Sequence, residues 1–389
     1  MTDQDIENEL IPFTQELVRC PSLPGQEGEA AALVQRRLEA WDWDQVWVDE
    51  RGSVVASRLG KAPGPRLLFD AHLDVVPATN PQDWSGNPFS GDLHDGKLWG
   101  RGATDIKGGL AALVCGLSAL ARDEFAGTLL LSASVGEELM EGAGLRGLVP
   151  QVRPDCVVIV EPTGCRLCTG HKGRAEFWIE VSGRPAHTSR PELGDNAIYR
   201  AIEIVQALKG LPLPSDPVLG SGVMELIEIS SRPFPGECIV PFGCRLRYDR
   251  RLVPGETRET LQAELQRALE SYTGWGMGFQ PVVLETYTGQ RITGEAFYPA
   301  WTLPAGSPWL VKAQAGLEAA GLPAGTLTAP YCTNGAYTAG ELGLPTLIFG
   351  PSHIRLAHGV DEHIELEELQ RGLVGLQALA RGLGQVAGG

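Results

Sequence analysis

Histidine and carboxylate side chains follow several apolar runs of this 389-residue chain, at points where buried strands are expected to end. His72 and Asp74 stand in FDAHLDVV, directly after one such run. A metal-bound histidine commonly has its far ring nitrogen held by a carboxylate, which fixes the tautomer and raises the basicity of the ligand. The pair taken alone favours a structural histidine that binds no metal over a metal ligand.

Further carboxylates occur in similar positions. Asp105 lies among glycines in GRGATDIKGG, where it could approach an ion closely or simply cap the following helix. Glu137 and Glu138 are adjacent in SVGEELMEG, and neighbouring carboxylates repel each other unless a cation or a proton intervenes. An exposed acidic turn is the alternative for that pair. Glu161 follows an apolar run in VIVEPT, where a carboxylate without a positive neighbour would be costly.

The segment SHIRLAHGVDEHIEL contains three further histidines, His353, His358 and His363. Its pattern alone does not choose a ligand among them. Imidazole and carboxylate groups at five strand-end sites form the ligand set that a two-metal hydrolase needs. Mixed ligation of this kind suits zinc, with cobalt or manganese as substitutes.

Hydrophobic periodicity predicts the elements that must position these residues. Two helices between residues 5 and 41 precede strands at 66–69, 128–134 and 156–160, with a helix at 107–122. This alternation predicts an α/β core. In open α/β sheets ligands bind at the carboxyl ends of strands, which is where the predicted ligands fall.

The middle of the chain predicts the element order β-α-β-β-α-β of a ferredoxin-like insert. The predicted strands are 174–182, 223–230, 244–250 and 279–285, and the helices are 195–208 and 256–272. A helix at 309–320, a strand at 346–349 and a helix at 366–383 would then return to the first domain. The core is therefore expected to be discontinuous.

Composition narrows the classes of partner and compartment. The net charge of −16 disfavours binding to nucleic acid, and no window has the apolar length of a membrane span. Among eight cysteines, the tight pair Cys165 and Cys168 has no second pair to complete a four-thiolate zinc site. The acidic start MTDQDIENEL lacks the order of a secretory signal, so we expect a cytoplasmic protein.

The motifs HLD, GRGATDIKGG, GEE, EPT and AHG resemble, in this order, the signature of the M20 metallopeptidase family. That family includes acetylornithine deacetylase, succinyl-diaminopimelate desuccinylase, aminoacylase and glutamate carboxypeptidase. The resemblance implies a two-domain zinc-peptidase fold of the α/β class, with a mixed-sheet catalytic domain at 1–173 and 289–389. Residues 174–288 would form the inserted ferredoxin-like lid and dimerisation domain.

The resemblance also implies a set of roles for individual side chains. His72, Asp105 and Glu161 would hold one zinc ion, and Asp105, Glu138 and His358 the other, so that Asp105 bridges two Zn²⁺.

Several residues around this centre also receive roles from the resemblance. Asp74 would orient His72, and Glu137 would be the general base. His187, in GRPAHTS, would reach across a homodimer interface to help bind the reacting carbonyl. Arg251 would bind the substrate carboxylate, with Arg250 as its competitor.

Some positions depart from the family pattern. Cys238 stands where Asn is frequent, Phe242 where Asp is common, and Asn334 where Thr is usually followed by Asp; we expect Asn334 and Gly335 to contact substrate. The segments GHKGRAEF and GDNAIY resemble most the branch linked to selenium metabolism. The function implied is hydrolysis of the amide of an N-acyl amino acid or a related small amino-acid derivative. A dipeptidase or carboxypeptidase on the same scaffold and a non-catalytic binding protein are the alternatives.

Overall fold

The computed structural model of the protein describes residues 3–385. Within them the α-helices are α1 (Asp3–Val18), α2 (Gly28–Glu39), α3 (Gly108–Ala119), α4 (Leu145–Val152), α5 (Ala197–Lys209), α6 (Arg258–Ala268), α7 (Pro308–Ala319) and α8 (Leu366–Leu383). The strands are β1 (Gln45–Val48), β2 (Val54–Leu59), β3 (Ala62–His72), β4 (Asp92–His94), β5 (Lys97–Trp99), β6 (Ala126–Ser134), β7 (Cys156–Ile159), β8 (Leu167–His171), β9 (Gly173–Ser182), β10 (Ser215–Asp216), β11 (Gly220–Ser221), β12 (Val223–Arg232), β13 (Gly243–Leu252), β14 (Trp275–Phe279), β15 (Pro281–Glu285), β16 (Arg291–Glu295), β17 (Phe297–Tyr298), β18 (Trp301–Thr302), β19 (Thr326–Ala329), β20 (Thr346–Ile348) and β21 (His363–Glu365).

A mixed sheet, called the core sheet below, is the largest sheet among the described residues. Its strand order is β1-β2-β6-β3-β7-β20-β8-β18, and β19 pairs with β8. The three strands β6, β3 and β7 are parallel, and so are β7 and β20. Every residue of β6 is buried, as expected for a strand with helices on both faces of its sheet.

Alternating side chains of this sheet enter two separate cores. Phe69 and Leu131 pack in the larger core, with side chains of α1, α2, α3, α7 and α8. Their neighbours Leu68 and Leu130 pack on the other face, with Leu148 of α4. The predicted α/β class is therefore observed as a mixed α/β fold with helices on both faces of the sheet.

A second, antiparallel sheet is built from the middle of the chain. Its strand order is β12-β13-β9-β14, with β17 added to β9, and the element order along the chain is β9-α5-β12-β13-α6-β14. Odd-numbered residues of β9 and even-numbered residues of β13 are buried. They form a core with α5 and α6, which leaves the opposite face of this sheet half-exposed.

The structure corrects some of the predicted elements. The strand predicted at 279–285 matches β15, but β15 pairs with β16 in a separate hairpin; the strand that completes the second sheet is β14, which the prediction missed except for Phe279. Tyr287, at the tip of that hairpin, donates a hydrogen bond to the carbonyl oxygen of Gly52, between β1 and β2 of the core sheet. The division at 1–173, 174–288 and 289–389 stays a prediction; β9 begins at Gly173, and the hairpin spans residue 288.

Along residues 3–385, no helix has both the length and the apolar character that crossing a membrane requires.

Candidate active site

The edge of the core sheet where β3, β6 and β7 end carries most of the predicted site. In the parallel registers His72 lies opposite Ser134, and Asp70 opposite Ile159. The segments that follow these strands therefore leave the sheet side by side. They carry the His72 motif, the glutamate pair and Glu161, so the sheet topology alone brings three separate sequence motifs to one place.

The first candidate metal group is His72, Asp105 and Glu161, all buried. His72 Nε2 lies 3.2 Å from Asp105 Oδ1 and 4.0 Å from Glu161 Oε1. Zinc–ligand bonds of about 2 Å place two ligand atoms at most about 4 Å apart. The three side chains are thus close to the separation that one ion requires.

The second candidate group is Asp105, Glu138 and His358. His358 Nε2 lies 3.3 Å from Asp105 Oδ2 and 3.2 Å from Glu138 Oε1. Because Oδ1 of Asp105 faces His72 and Oδ2 faces His358, this carboxylate joins the two groups through different oxygens. The donor set of imidazoles and carboxylates fits two divalent cations, with Asp105 as the shared ligand.

The structure selects one of the three C-terminal histidines. His358 joins the second group with its backbone in the left-handed region, at φ +61°, a conformation that is uncommon for non-glycine residues. His363 instead bonds to the carbonyl oxygen of Asp361 at 2.9 Å, and His353 packs against Gly164.

Asp74 orients both His72 and the glutamate pair, by a route that differs from the expected one. His72 Nδ1 is 2.8 Å from the backbone oxygen of Asp74, whereas the carboxylate is 3.6 Å away and too distant for a hydrogen bond. The Asp74 carboxylate instead accepts the backbone N–H groups of Glu137 and Glu138, at 3.1 and 2.9 Å.

The concentration of acidic groups controls the electrostatics of the site. Burial raises the pKa of Glu137 well above its usual value; His72 opposes this shift, and Glu161 and Glu138 add to it. Hydrogen bonds to Asp105 and Glu138 raise the pKa of His358 to about 10. Burial alone would raise the pKa of Asp105, but its hydrogen bonds from His358 and His72 lower it below the ordinary range. The site therefore favours cationic partners for its carboxylates.

Two arginines that the sequence left in competition lie on opposite faces of β13. Arg250 is fully buried and pairs with Glu256 at 2.5 Å and Glu264 at 2.7 Å. Arg251 lines the cavity that contains Glu137. Strand alternation separates the two, and Arg251 is the one available to a substrate.

Two other predicted site residues, Asn334 and Gly335, lie away from this cavity wall. Both groups of the Asn334 amide are used inside the protein: Nδ2 donates to Asp70 at 2.9 Å, and Oδ1 accepts the N–H of Gly142 at 2.6 Å. Gly335 packs against Trp301. In this arrangement Asn334 and Gly335 support the loops around the site. Their contact with substrate stays a prediction.

His187 lies in the segment between β9 and α5, beside the second sheet, and its Nδ1 is hydrogen-bonded to Ser189 Oγ at 2.7 Å. The two candidate metal groups do not include it. Its predicted role across a dimer interface stays a prediction.

Sequence reasoning missed a buried ion pair that supports the shared ligand. Glu362 Oε1 accepts the backbone N–H groups of Thr104 and Asp105, each at 3.0 Å, and its other oxygen pairs with Arg101. Arg101 also donates to the carbonyl oxygen of His358 at 3.3 Å. The pair thus ties the Asp105 loop to the His358 loop. Its signal was the placement of a charged residue inside each motif, GRGATD and HGVDEH.

We expect Glu362→Gln to weaken zinc affinity by about 10- to 100-fold, the usual effect of losing a group that orients metal ligands. Calorimetric zinc titration of the chelator-treated protein would measure this. Glu367→Gln, at an exposed position of α8, is the matched control and should bind zinc normally. Equal affinities for both variants would contradict the supporting role of Glu362.

Comparison with known proteins identifies relatives that span nearly the whole chain. The chain is 32% identical over 373 residues to the YgeY protein of Escherichia coli K12, covering 92% of this chain and 90% of the relative. A succinyl-diaminopimelate desuccinylase of Methylorubrum extorquens is 30% identical over 292 residues, which are 69% of this chain and 74% of that protein. The predicted kinship with the selenium-linked branch stays a prediction.

Solved structures share the fold. Aminopeptidase PepT from Bacillus cereus has a TM-score of 0.75 at 19% identity, over 97% of this chain and 99% of that one. The Bacillus subtilis YXEP protein, described as a dinuclear metal-binding peptidase from the M20 family, has a TM-score of 0.73 at 16% identity over 98% of both chains. The family model for peptidase family M20/M25/M40 matches residues 68–382. Because this match covers most of the chain, the chain belongs to the M20 family of metallohydrolases.

Proposed function

We propose that the protein is a two-zinc amidohydrolase that removes the acyl group from an N-acyl amino acid or a related small amino-acid derivative. The observation that carries the proposal is the sharing of Asp105 between two ligand groups, with the Glu137 carboxylate lining the cavity beside them. The similarity to a desuccinylase at 30% identity supports a deacylase. The dinuclear metal binding stated for YXEP supports two ions.

The chemistry follows from where the side chains stand. Two zinc ions held by the two groups would acidify a water molecule and polarise the scissile carbonyl. Glu137 takes the proton of the attacking water and later returns it to the departing amine. Burial and its acidic neighbours raise the pKa of Glu137, which suits a group that must both accept and release a proton.

Two other residues orient the substrate and stabilise the negative charge that develops on its carbonyl oxygen. Arg251 binds a carboxylate of the substrate. The partner subunit's His187 meets the oxyanion that develops on the carbonyl, where a fixed donor lowers the barrier most. These roles make the homodimer the active form.

Exposed apolar residues of the inserted domain support dimerisation. Tyr199 and Ile202 of α5 are 68% and 45% exposed, and Ile227 and Ile229 of the edge strand β12 are 50% and 53% exposed. An apolar edge strand without a neighbour is a ready pairing surface. We propose that a second copy of the chain covers it.

The partner and compartment complete the proposal. A net charge of −16 favours a small-molecule substrate over nucleic acid or a membrane surface. All eight cysteines are free thiols, which is typical of a reducing compartment, so we place the reaction in the cytoplasm.

The substrate class is tested by a hydrolysis screen with zinc-, cobalt- and manganese-loaded protein. The panel contains acetyl, succinyl, formyl and carbamoyl amino acids beside dipeptides, and we expect the acyl amino acids to be cleaved at least tenfold faster. Faster cleavage of dipeptides would favour the second candidate, a dipeptidase or carboxypeptidase. Metal binding without any hydrolysis would favour a non-catalytic binding protein.

Glu137→Gln should lower kcat by about 10²–10⁴, the contribution of one acid–base group, while two ions remain bound. Metal content and kcat are measured on the same preparation. Glu124→Gln, which removes an exposed carboxylate that pairs with Arg381, is the control and should be fully active. Normal turnover by the Glu137 variant would remove this residue from the base role.

His187→Ala should lose activity without losing metal, because its ring acts on the partner's substrate. Mixing this variant with Glu137→Gln should restore about half of the wild-type activity per mixed dimer, since one intact site of two would form, and about a quarter in a fully exchanged equimolar mixture. Subunit exchange is verified by mass spectrometry. If exchange occurs and activity does not return, His187 does not act across the interface.

A further inference from the structure

Two arginines form one wall of the cavity beside the general base. The cavity has a volume of about 300 Å³, and Arg174 of β9 and Arg251 of β13 line it together with Glu137. They are direct cross-strand partners in the antiparallel pair β9–β13, so their Cβ atoms lie about 5 Å apart on the same face. Two guanidinium groups therefore face the site of hydrolysis from adjacent positions.

Like charges directly opposite each other destabilise a sheet, so each arginine on this face needs a counter-charge. Arg251 has Asp249 on its own strand, with Nε 2.9 Å from Oδ1. Arg247, on the same face, has Glu176 of β9, with Nε 3.1 Å from Oε2. The sheet thus supplies both of these counter-charges itself.

Arg174 has Glu176 of its own strand only at 3.9 Å from Nη2, and its nearer counter-charge, Glu141, comes from the segment between β6 and α4. Its Nε is 3.3 Å and its Nη2 3.4 Å from the Glu141 carboxylate, longer than the 2.7–2.9 Å typical of charge-assisted bonds. The side chain is only 22% exposed, and its buried Nε makes no hydrogen bond within the described chain. A guanidinium has five N–H donors, so Arg174 retains donors for another acceptor.

We infer that Arg174 is a specificity-determining residue that, together with Arg251, binds one carboxylate of the substrate. The inference rests on the proposed function. A carboxylate between the two guanidinium groups relieves their repulsion and accepts the unused donors of Arg174, while Glu141 keeps that side chain in place. The substrate class is therefore an acyl amino acid with a free carboxylate, and its neutral carboxamide is rejected.

A purely structural role for Arg174 makes a different prediction. The Arg174–Glu141 pair connects the second sheet to the segment between β6 and α4, and its loss could loosen the site as a whole. Loosening would weaken acids and carboxamides alike, whereas loss of a carboxylate contact weakens only acids. The ratio of the two affinities separates the roles.

The test measures binding by calorimetry to zinc-loaded protein carrying Glu137→Gln, so that ligands bind without being consumed. The probes are N-acetyl and N-succinyl amino acids, each compared with its carboxamide. Arg174→Met should lower the acid-over-carboxamide preference by about 10- to 100-fold, the range of one charge-assisted hydrogen bond. Arg174→Lys should restore part of it, because a lysine keeps the charge and loses the planar fork.

Arg247→Met is the matched control, since it removes an arginine from the same sheet face that pairs with Glu176 and does not line the cavity wall. The acid-over-carboxamide preference of this variant should equal that of the parent protein, which carries Glu137→Gln alone. In the otherwise wild-type enzyme, Arg174→Met should raise KM for acids more than it lowers kcat.

The inference would be overturned if the Arg174→Met variant kept the acid-over-carboxamide preference of the parent. An equal loss of affinity for acids and carboxamides is one such outcome. These outcomes do not depend on turnover. Failure of the hydrolysis screen alone therefore counts against the proposed function, and a normal acid preference in the Arg174 variant counts against the carboxylate site.

Discussion

The repulsion among carboxylates gathered at one buried edge is the constraint on which the rest of the site depends. Asp105, Glu137 and Glu161 are nearly inaccessible to solvent, and burial of like charges is costly unless cations or protons compensate them. The two histidines at hydrogen-bonding distance from Asp105 show where the positive charge must lie. A pair of divalent cations satisfies the same requirement, which is why the donor set indicates a metal centre.

The surrounding fold stabilises this arrangement with backbone groups and buried ion pairs. Asp74 uses its carbonyl oxygen for His72 and its carboxylate for the N–H groups of the glutamate pair. Glu362 serves the N–H of Asp105 in the same way, with Arg101 as its counter-charge. Each carboxylate that orients a ligand is therefore itself hydrogen-bonded, and the ligand positions follow from rigid elements rather than from free loops.

The second sheet separates its charged side chains by simple alternation. One face packs on α5 and α6, and a charged residue there, Arg250, requires two glutamates to compensate it. The other face presents alternating charges and ends with Arg174 and Arg251 at the cavity. A site that is acidic around the metal ligands and basic on the facing wall suits a substrate whose scissile carbonyl and carboxylate lie a short distance apart.

The sequence by itself indicated the family through the resemblance of its ordered motifs, and the α/β class through the alternation of predicted strands and helices. It also identified candidate ligands, because strand-end histidines and carboxylates have few alternative explanations once they occur together. Periodicity also located most helices and strands, although it missed most of β14, whose residues Trp275–Phe279 include two glycines, a residue type that is depleted in strands. Tertiary structure decided what the local pattern had left open: it placed His358 in the second ligand group and Arg251, not Arg250, on the cavity wall, as the resemblance implies. It also enclosed the Asn334 amide and paired Arg101 with Glu362, which the sequence did not predict. These outcomes depend on which residues of distant segments meet in space, and local pattern contains no information about that.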